Sequence, residues 1–383
     1  MVDGTDRVGR RRVFYVPGYD PFHPRRYREL YRKEGTEQAR ISGYTLDLRA
    51  AGPTGWHVRF AGDGAHVDSV IEVLTWSDIV AASMGRSIGA TYGQLVGTAW
   101  IYLASGALFR LARLRKGPAI AALYPIAVLI LQAVLALAAG WGVLVILAHT
   151  GRALWPGAPA AATTALGIAL GAVTALLLLR WFRRHDNRIF AWYLMHDYAF
   201  TASEGGAMPP ALRPRLAAFA DRIAGALAED WDEVLVVGHS SGAHLAVTVL
   251  AELIRSGRVL RADLAYLSAR EELAWVDVTA PGDGCAYALC DPVAVSGAAP
   301  PDKRWPLVLS AAFTQTLSPE RWRALRWRFF RLHFQYLCAF DRPGDYDYFR
   351  ITAGPLTLAA RYRGRAPSQS RIETPLNPYG QAA

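Results

Sequence analysis

Two uncharged stretches constrain this chain more than anything else in it. Ala119 to Ala148 runs for thirty residues with Gln132 as its one strongly polar side chain, and Ala160 to Leu179 runs for twenty without a charge. The hydrocarbon core of a bilayer is about 30 Å thick and takes roughly 20 helical residues, so each stretch is long enough to cross it. At 1.5 Å per residue the first would reach about 45 Å, which predicts tilt, a kink at Pro125 or an overhang beyond the lipid. Between Tyr92 and Leu111, Gln94, Thr98 and Ser105 interrupt Trp100, Ile101, Leu103, Leu108 and Phe109. That pattern suits either a third span or a helix lying in the interface.

The basic residues bear on topology. Arg110, Arg113, Arg115 and Lys116 precede the first span, Arg180, Arg183, Arg184 and Arg188 follow the second, and the connecting loop holds only Arg152. By the positive-inside rule both flanks face the cytoplasm. The expectation is a two-helix hairpin in the cell (inner) membrane, a multi-pass arrangement with residues 92–111 interfacial. Trp181 and Phe182 would mark one headgroup level, and Trp141 and Trp155 the other.

Composition narrows the function classes. The chain of 383 residues is 52% hydrophobic with a net charge of +10. Much of the basic charge flanks the apolar segments or is scattered as Arg, which reads as a membrane signature and not as a nucleic-acid surface. Cys285, Cys290 and Cys338 are odd in number and lack CxxC spacing, so neither a disulfide framework nor a zinc site is expected. No Walker loop, HExxH or dinucleotide GxGxxG occurs, which predicts no metal and no cofactor. Met1 to Arg7 lacks an apolar h-region, so no signal peptide is expected and the start of the chain should remain cytoplasmic.

Outside the membrane segments the chain reads as alternating strands and helices. Val13–Val16 is a short strand running into Pro17-Gly18-Tyr19, and 24–33 carries Tyr27, Leu30 and Tyr31 at helical spacing. Residues 43–48, 55–60 and 70–75 read as strands separated by Gly/Pro turns, with His57 and His66 as structural or surface residues. The most informative stretch is Val234-Leu235-Val236-Val237-Gly238-His239-Ser240-Ser241-Gly242, followed by small and apolar residues at helical spacing through Leu253. A buried parallel strand, a sharp turn and a helix follow from that pattern. Gly238 and Gly242 lack side chains where strand and helix must approach, and Ser240 would stand exposed at the strand's carboxyl end with the Ser241 amide aimed at the same spot.

This strand, GxSxG and helix resemble the nucleophile elbow of the α/β-hydrolase superfamily, an esterase- and lipase-like group of serine hydrolases. The resemblance covers residues 12 to about 35 and 212 to about 350, and it implies an α/β fold: a mostly parallel sheet flanked by helices, here interrupted by an inserted transmembrane hairpin. It implies Ser240 as nucleophile and an oxyanion hole built from the amides of Gly18 or Tyr19 and of Ser241. In that superfamily the acid and then the histidine follow the serine. Beyond residue 244 the one histidine is His333, which that order makes the general base. Asp283, in the turn after the strand 275–279, is the leading acid, with Asp291 and Asp277 as alternatives. His239 and His244 precede the acid and are expected to pack and hydrogen-bond; Ser318-Pro319-Glu320 reads as a helix cap.

The domain reading is an N-terminal hydrolase part over 1–90, a membrane insert over 91–188, a C-terminal hydrolase part over 189–362 and a disordered tail over 363–383. The expected activity is cleavage of a carboxylic ester by an acyl-enzyme route, on a hydrophobic ester or lipid substrate met at the bilayer. An acyltransferase with the same triad is the alternative enzyme, and a catalytically silent scaffold at the membrane the alternative from another class. A transporter is disfavoured because neither span carries a charge.

Overall fold

The computed structural model describes residues 6–85, 87–114, 116–154, 157, 159–258, 273–300 and 303–376. It divides into two compact units, Met1–Ala82 with Pro210–Ala383, and Ser83–Pro209. In chain order the main elements are β1 (Arg10–Val16), α1 (Arg25–Ser42), β2 (Thr45–Ala51), β3 (Gly55–Gly62), β4 (Ala65–Val73) and α2 (Ser77–Ser83). Then come α3 (Ile88–Ala104), α4 (Ala107–Leu114), α5 (Lys116–Leu154), α6 (Ala160–Arg184) and α7 (Ala191–Ala202). The last are α8 (Arg213–Leu227), β5 (Glu233–Gly238), α9 (Ser241–Arg255), β6 (Val276–Thr279) and β7 (Leu307–Ser310).

The first unit corrects the expected sheet. Five strands pair in the order β2-β3-β4-β1-β5, while β6 and β7 form a separate parallel pair. Strand β1 runs parallel to β4 and β5, but β3 is antiparallel to both β2 and β4. The sheet is therefore mixed, and the mostly parallel α/β-hydrolase sheet is not what the chain builds. Chain length gives the reason. A parallel pair needs a crossover of about a dozen residues or more, and the links from β2 to β3 and from β3 to β4 are tight turns. The second is Asp63-Gly64, both at positive φ (54° and 67°), the geometry of a two-residue hairpin turn. A second departure concerns β5, read from its four apolar residues as a buried strand. Among the described residues it lies at the sheet edge beside β1, and only Leu235 on it is buried.

Aromatic residues on the core face of this sheet, Tyr15, Trp56 and Phe60, pack with Tyr27 and Tyr31 of α1 and with Phe349. Helix α1 extends to Ser42, beyond the expected end at Lys33, and stops where Gly43 takes up a left-handed conformation (φ 73°). Buried Arg11 donates to Glu233 Oε2 at 2.5 Å and to the carbonyls of Gly354 (2.7 Å) and Leu356 (2.6 Å), fixing a late segment of chain against β1. The tail expected to be disordered from 363 is instead paired along its described part. The amides of Ser368, Ile372 and Leu376 donate to the carbonyls of Val308, Leu289 and Val295 at 2.7–2.9 Å. Residues 377–383 lie outside the described residues.

The second unit holds two helices long and apolar enough to cross a membrane, Ala119–Gly151 (mean hydropathy 2.4) and Ala160–Arg184 (2.1). Helices α5 and α6 approach backbone to backbone: a Cβ on Gly171 would lie 2.5 Å from the Gly140 carbonyl oxygen, and one on Gly140 2.6 Å from that of Gly171. Small residues permit this contact between apolar helices. The Gln132 carboxamide oxygen accepts from Trp192 Nε1 at 2.9 Å, so α7 supplies a partner for the polar group in α5. The segment 92–111 falls on α3 and α4, two helices bent by 70° at a short break. The unit is wider than the expected insert of 91–188, because α7 belongs to it: Trp192 and Met195 form a core with Leu95, Ile126 and Leu129. Arg115 and Trp155 lie outside the described residues.

Candidate active site

The elbow forms as its sequence dictates. Strand β5 ends at Gly238, α9 begins at Ser241, and Ser240 between them is held at φ 58°, ψ −133°. A non-glycine residue at positive φ costs of order 1–3 kcal/mol and persists only where its surroundings over-determine it. Those surroundings are backbone. A Cβ on Gly242 would lie 2.1 Å from the Val16 carbonyl oxygen, and one on Gly238 2.4 Å from Ala243 Cα. Ser240 is exposed at the tip while His239 beside it is buried.

The loop after β1 reaches this tip. A Cβ on Gly18 would lie 2.8 Å from Ser240 Cβ and 3.2 Å from its Oγ. Trp76 steadies the loop, donating from Nε1 to the Pro17 carbonyl at 2.9 Å and meeting the Tyr19 ring edge-on. The Tyr19 amide donates to Ser241 Oγ at 3.0 Å, so this expected oxyanion donor is engaged with the neighbouring serine in this state. The Ser241 amide opens α9, at the positive end of the helix dipole.

The expected base and acid meet. His333, at the end of the short helix Phe329–His333, is 9% exposed, and Asp283, in the turn after β6, is 2% exposed. Nδ1 of His333 lies 2.8 Å from Asp283 Oδ2. A carboxylate can only accept, so Nδ1 carries a proton, and in the neutral imidazole this tautomer leaves the lone pair on Nε2. Burial works to raise the Asp283 carboxyl, but the hydrogen bond and charge of His333, the Cys285 amide and the Tyr336 hydroxyl outweigh it and hold the group below its usual value. His239 links this couple to the elbow: its ring lies 4.9 Å from the His333 ring between centroids, and its Nε2–H donates to the His333 carbonyl at 3.0 Å. Burial, and then the charge of His333, push His239 down to about 3, so it stays neutral near pH 7. Among the described residues no hydrogen bond joins Ser240 Oγ to His333.

The two alternative acids are placed elsewhere. Asp291 caps the helix Pro292–Val295, accepting from the Val293 and Ala294 amides at 3.0 and 2.9 Å, and pairs with Lys303. Asp277 lies within β6, where burial and then the charge of Asp291 push its carboxyl up to about 6. A folded-state value above the unfolded one means a contribution to stability that is present at low pH and lost as pH rises to about 6. Asp277→Asn should therefore stabilise the protein at pH 8, with the gain fading below pH 6 and gone near pH 4. The side chain is half-buried, and screening by solvent keeps the expected gain to about 1–2 kcal/mol. Thermal unfolding of both proteins across that pH range measures it.

Three contributors are not marked by a motif in the sequence. Trp76 and Tyr336 are buried aromatics whose polar ends serve the site, and nothing in their spacing marks them. Cys285 lacked a CxxC partner, yet its position two residues after the leading acid was a local signal: its amide donates to Asp283 Oδ1 at 2.9 Å. Comparison of the chain with protein families, with curated proteins and with solved structures finds no match.

Proposed function

We propose that the chain is a membrane-anchored serine hydrolase that cleaves a carboxylic ester. The observation that carries this reading is the buried Asp283–His333 couple, its proton on Nδ1, packed through His239 against a strained and exposed Ser240. Ser240 Oγ attacks the ester carbonyl and His333 Nε2 takes its proton; the amide of Ser241 receives the oxyanion, joined by that of Gly18 or by that of Tyr19 once it leaves Ser241 Oγ. His333 then returns the proton to the leaving alcohol, and water, activated by the same nitrogen, releases the acid from Ser240. Asp283 acts through the imidazole, holding its tautomer and its orientation. The parallel with α/β-hydrolases is drawn at the site alone: an elbow, followed in the chain by acid and histidine.

A lipid ester is the proposed substrate class, because the chain passes from the catalytic unit into the apolar one and back, at Ser83 and Pro209. Chromogenic acyl esters of increasing chain length should be hydrolysed by detergent-solubilised wild type, with kcat/KM rising with chain length, and not by Ser240→Ala. A rate independent of Ser240 would end the proposal. The two apolar helices are read as a hairpin whose flanks face the cytoplasm, since Arg110 and Arg113 precede it and Arg180, Arg183 and Arg184 follow. In intact cells Gly157→Cys should react with an impermeant maleimide, while tags at both termini stay protected from protease; accessible termini would contradict the hairpin.

A further inference from the structure

One further side chain reaches the proposed site. Cys285 is exposed and outside any disulfide. Its sulfur, a carboxylate oxygen of Asp283 and a ring nitrogen of His333 all lie within 4.8 Å of one another. The Asp283–Cys285 turn is pre-ordered by the hydrogen bond that the Cys285 amide donates to Asp283 Oδ1 at 2.9 Å. Thiolate, imidazole and carboxylate are the three ligand types that tetrahedral zinc takes, at about 2.0–2.3 Å, which places ligand atoms roughly 3–4 Å apart around the ion. Small side-chain rotations would close this cluster on a metal, and the exposed thiol gives a route in. A hard ion such as Mg²⁺ prefers an all-oxygen shell and is a poor match.

We propose that Asp283, Cys285 and His333 form a Zn²⁺ site whose occupation switches the hydrolase off. Binding forms a Zn–S bond and releases the thiol proton to solvent. On Nδ1 of His333 the ion displaces the ring proton, which moves to Nε2; on Nε2 it takes the lone pair meant for the serine proton. On either nitrogen the imidazole can no longer act as base, so Ser240 loses its activation. The switch rests on the hydrolase reading, whereas the metal site itself does not.

The test uses full-length protein in detergent, stripped with chelator, as wild type, Cys285→Ser and Cys338→Ser. Zn²⁺ binding is measured by equilibrium dialysis, and fluorophosphonate labelling is timed for each protein with and without Zn²⁺, with Mg²⁺ as control. Wild type and Cys338→Ser should bind one equivalent of Zn²⁺ and label at least about tenfold more slowly with it, recovering with chelator. Cys285→Ser should bind at least about tenfold more weakly, the loss seen when even a residue that merely orients a ligand is replaced, and should label at one rate in both conditions. Unchanged Zn²⁺ affinity in Cys285→Ser would overturn the site. Labelling that requires Zn²⁺ would overturn the switch and make the ion a cofactor. Stoichiometric Zn²⁺ binding by a wild type that never labels would overturn the switch together with the hydrolase reading, and leave the metal site standing.

Discussion

Asp283→Asn should lower the ester-hydrolysis kcat by about 10⁴-fold, the loss expected when a catalytic imidazole is held in the wrong tautomer. The direction follows from the turn around residue 283. Oδ1 accepts from the Cys285 amide at 2.9 Å, and Oδ2 from His333 Nδ1 at 2.8 Å. An asparagine must keep its one oxygen toward the Cys285 amide, so its NH₂ faces Nδ1, which must then accept. The ring proton moves to Nε2, where the serine proton should go. Asp291→Asn and Asp277→Asn should keep the rate within a few-fold, because Asp291 is committed to a helix cap and Lys303, and Asp277 to β6. A large loss at either, with Asp283→Asn active, would reassign the acid.

Gly242→Ala should cost the fold more than about 4 kcal/mol, at the severe end of what single substitutions do. The added carbon would meet the Val16 carbonyl oxygen at 2.1 Å and that of Pro17 at 2.5 Å. Both are backbone atoms, and Val16 is in register with Gly238 across the β1–β5 pairing, so neither can retreat without opening the sheet beneath Ser240. The matched control is Gly225→Ala in α8, where an added carbon meets nothing within 4 Å. It should be neutral or stabilising by up to about 1 kcal/mol, the usual difference between glycine and alanine in a helix. Thermal unfolding in detergent distinguishes the two; a Gly242→Ala protein as stable as wild type would mean that the elbow is not packed as described.

The two long apolar helices were legible because thirty and twenty residues without charge have few alternatives. The elbow was legible because its geometry admits so few residue types: only glycine fits where Gly242 passes the Val16 carbonyl. Asp283 and His333, fifty residues apart, lie within hydrogen-bond distance; the pair could be picked out because chain order after the elbow leaves one histidine. The sheet was misread for a local reason. The expected strands overlap those that form, with β1 and β4 starting three and five residues earlier, but pairing direction depends on the links, and Asp63-Gly64 specifies a hairpin. The tail was read from composition alone, which says nothing of the carbonyls of Val308, Leu289 and Val295 that its amides find. Cys285 lacks CxxC spacing to Cys290 or Cys338, which hides it as a ligand in the sequence, whereas its neighbours in space are a carboxylate and an imidazole.

The most direct test of a Ser240-centred hydrolase is fluorophosphonate labelling of solubilised wild type beside Ser240→Ala, Ser241→Ala and His333→Ala. Labelling should disappear at Ser240 and His333 and persist at Ser241, whose hydroxyl accepts from the Tyr19 amide and performs no attack. A wild type that never labels, or a Ser240→Ala protein that labels as well as wild type, would contradict the account.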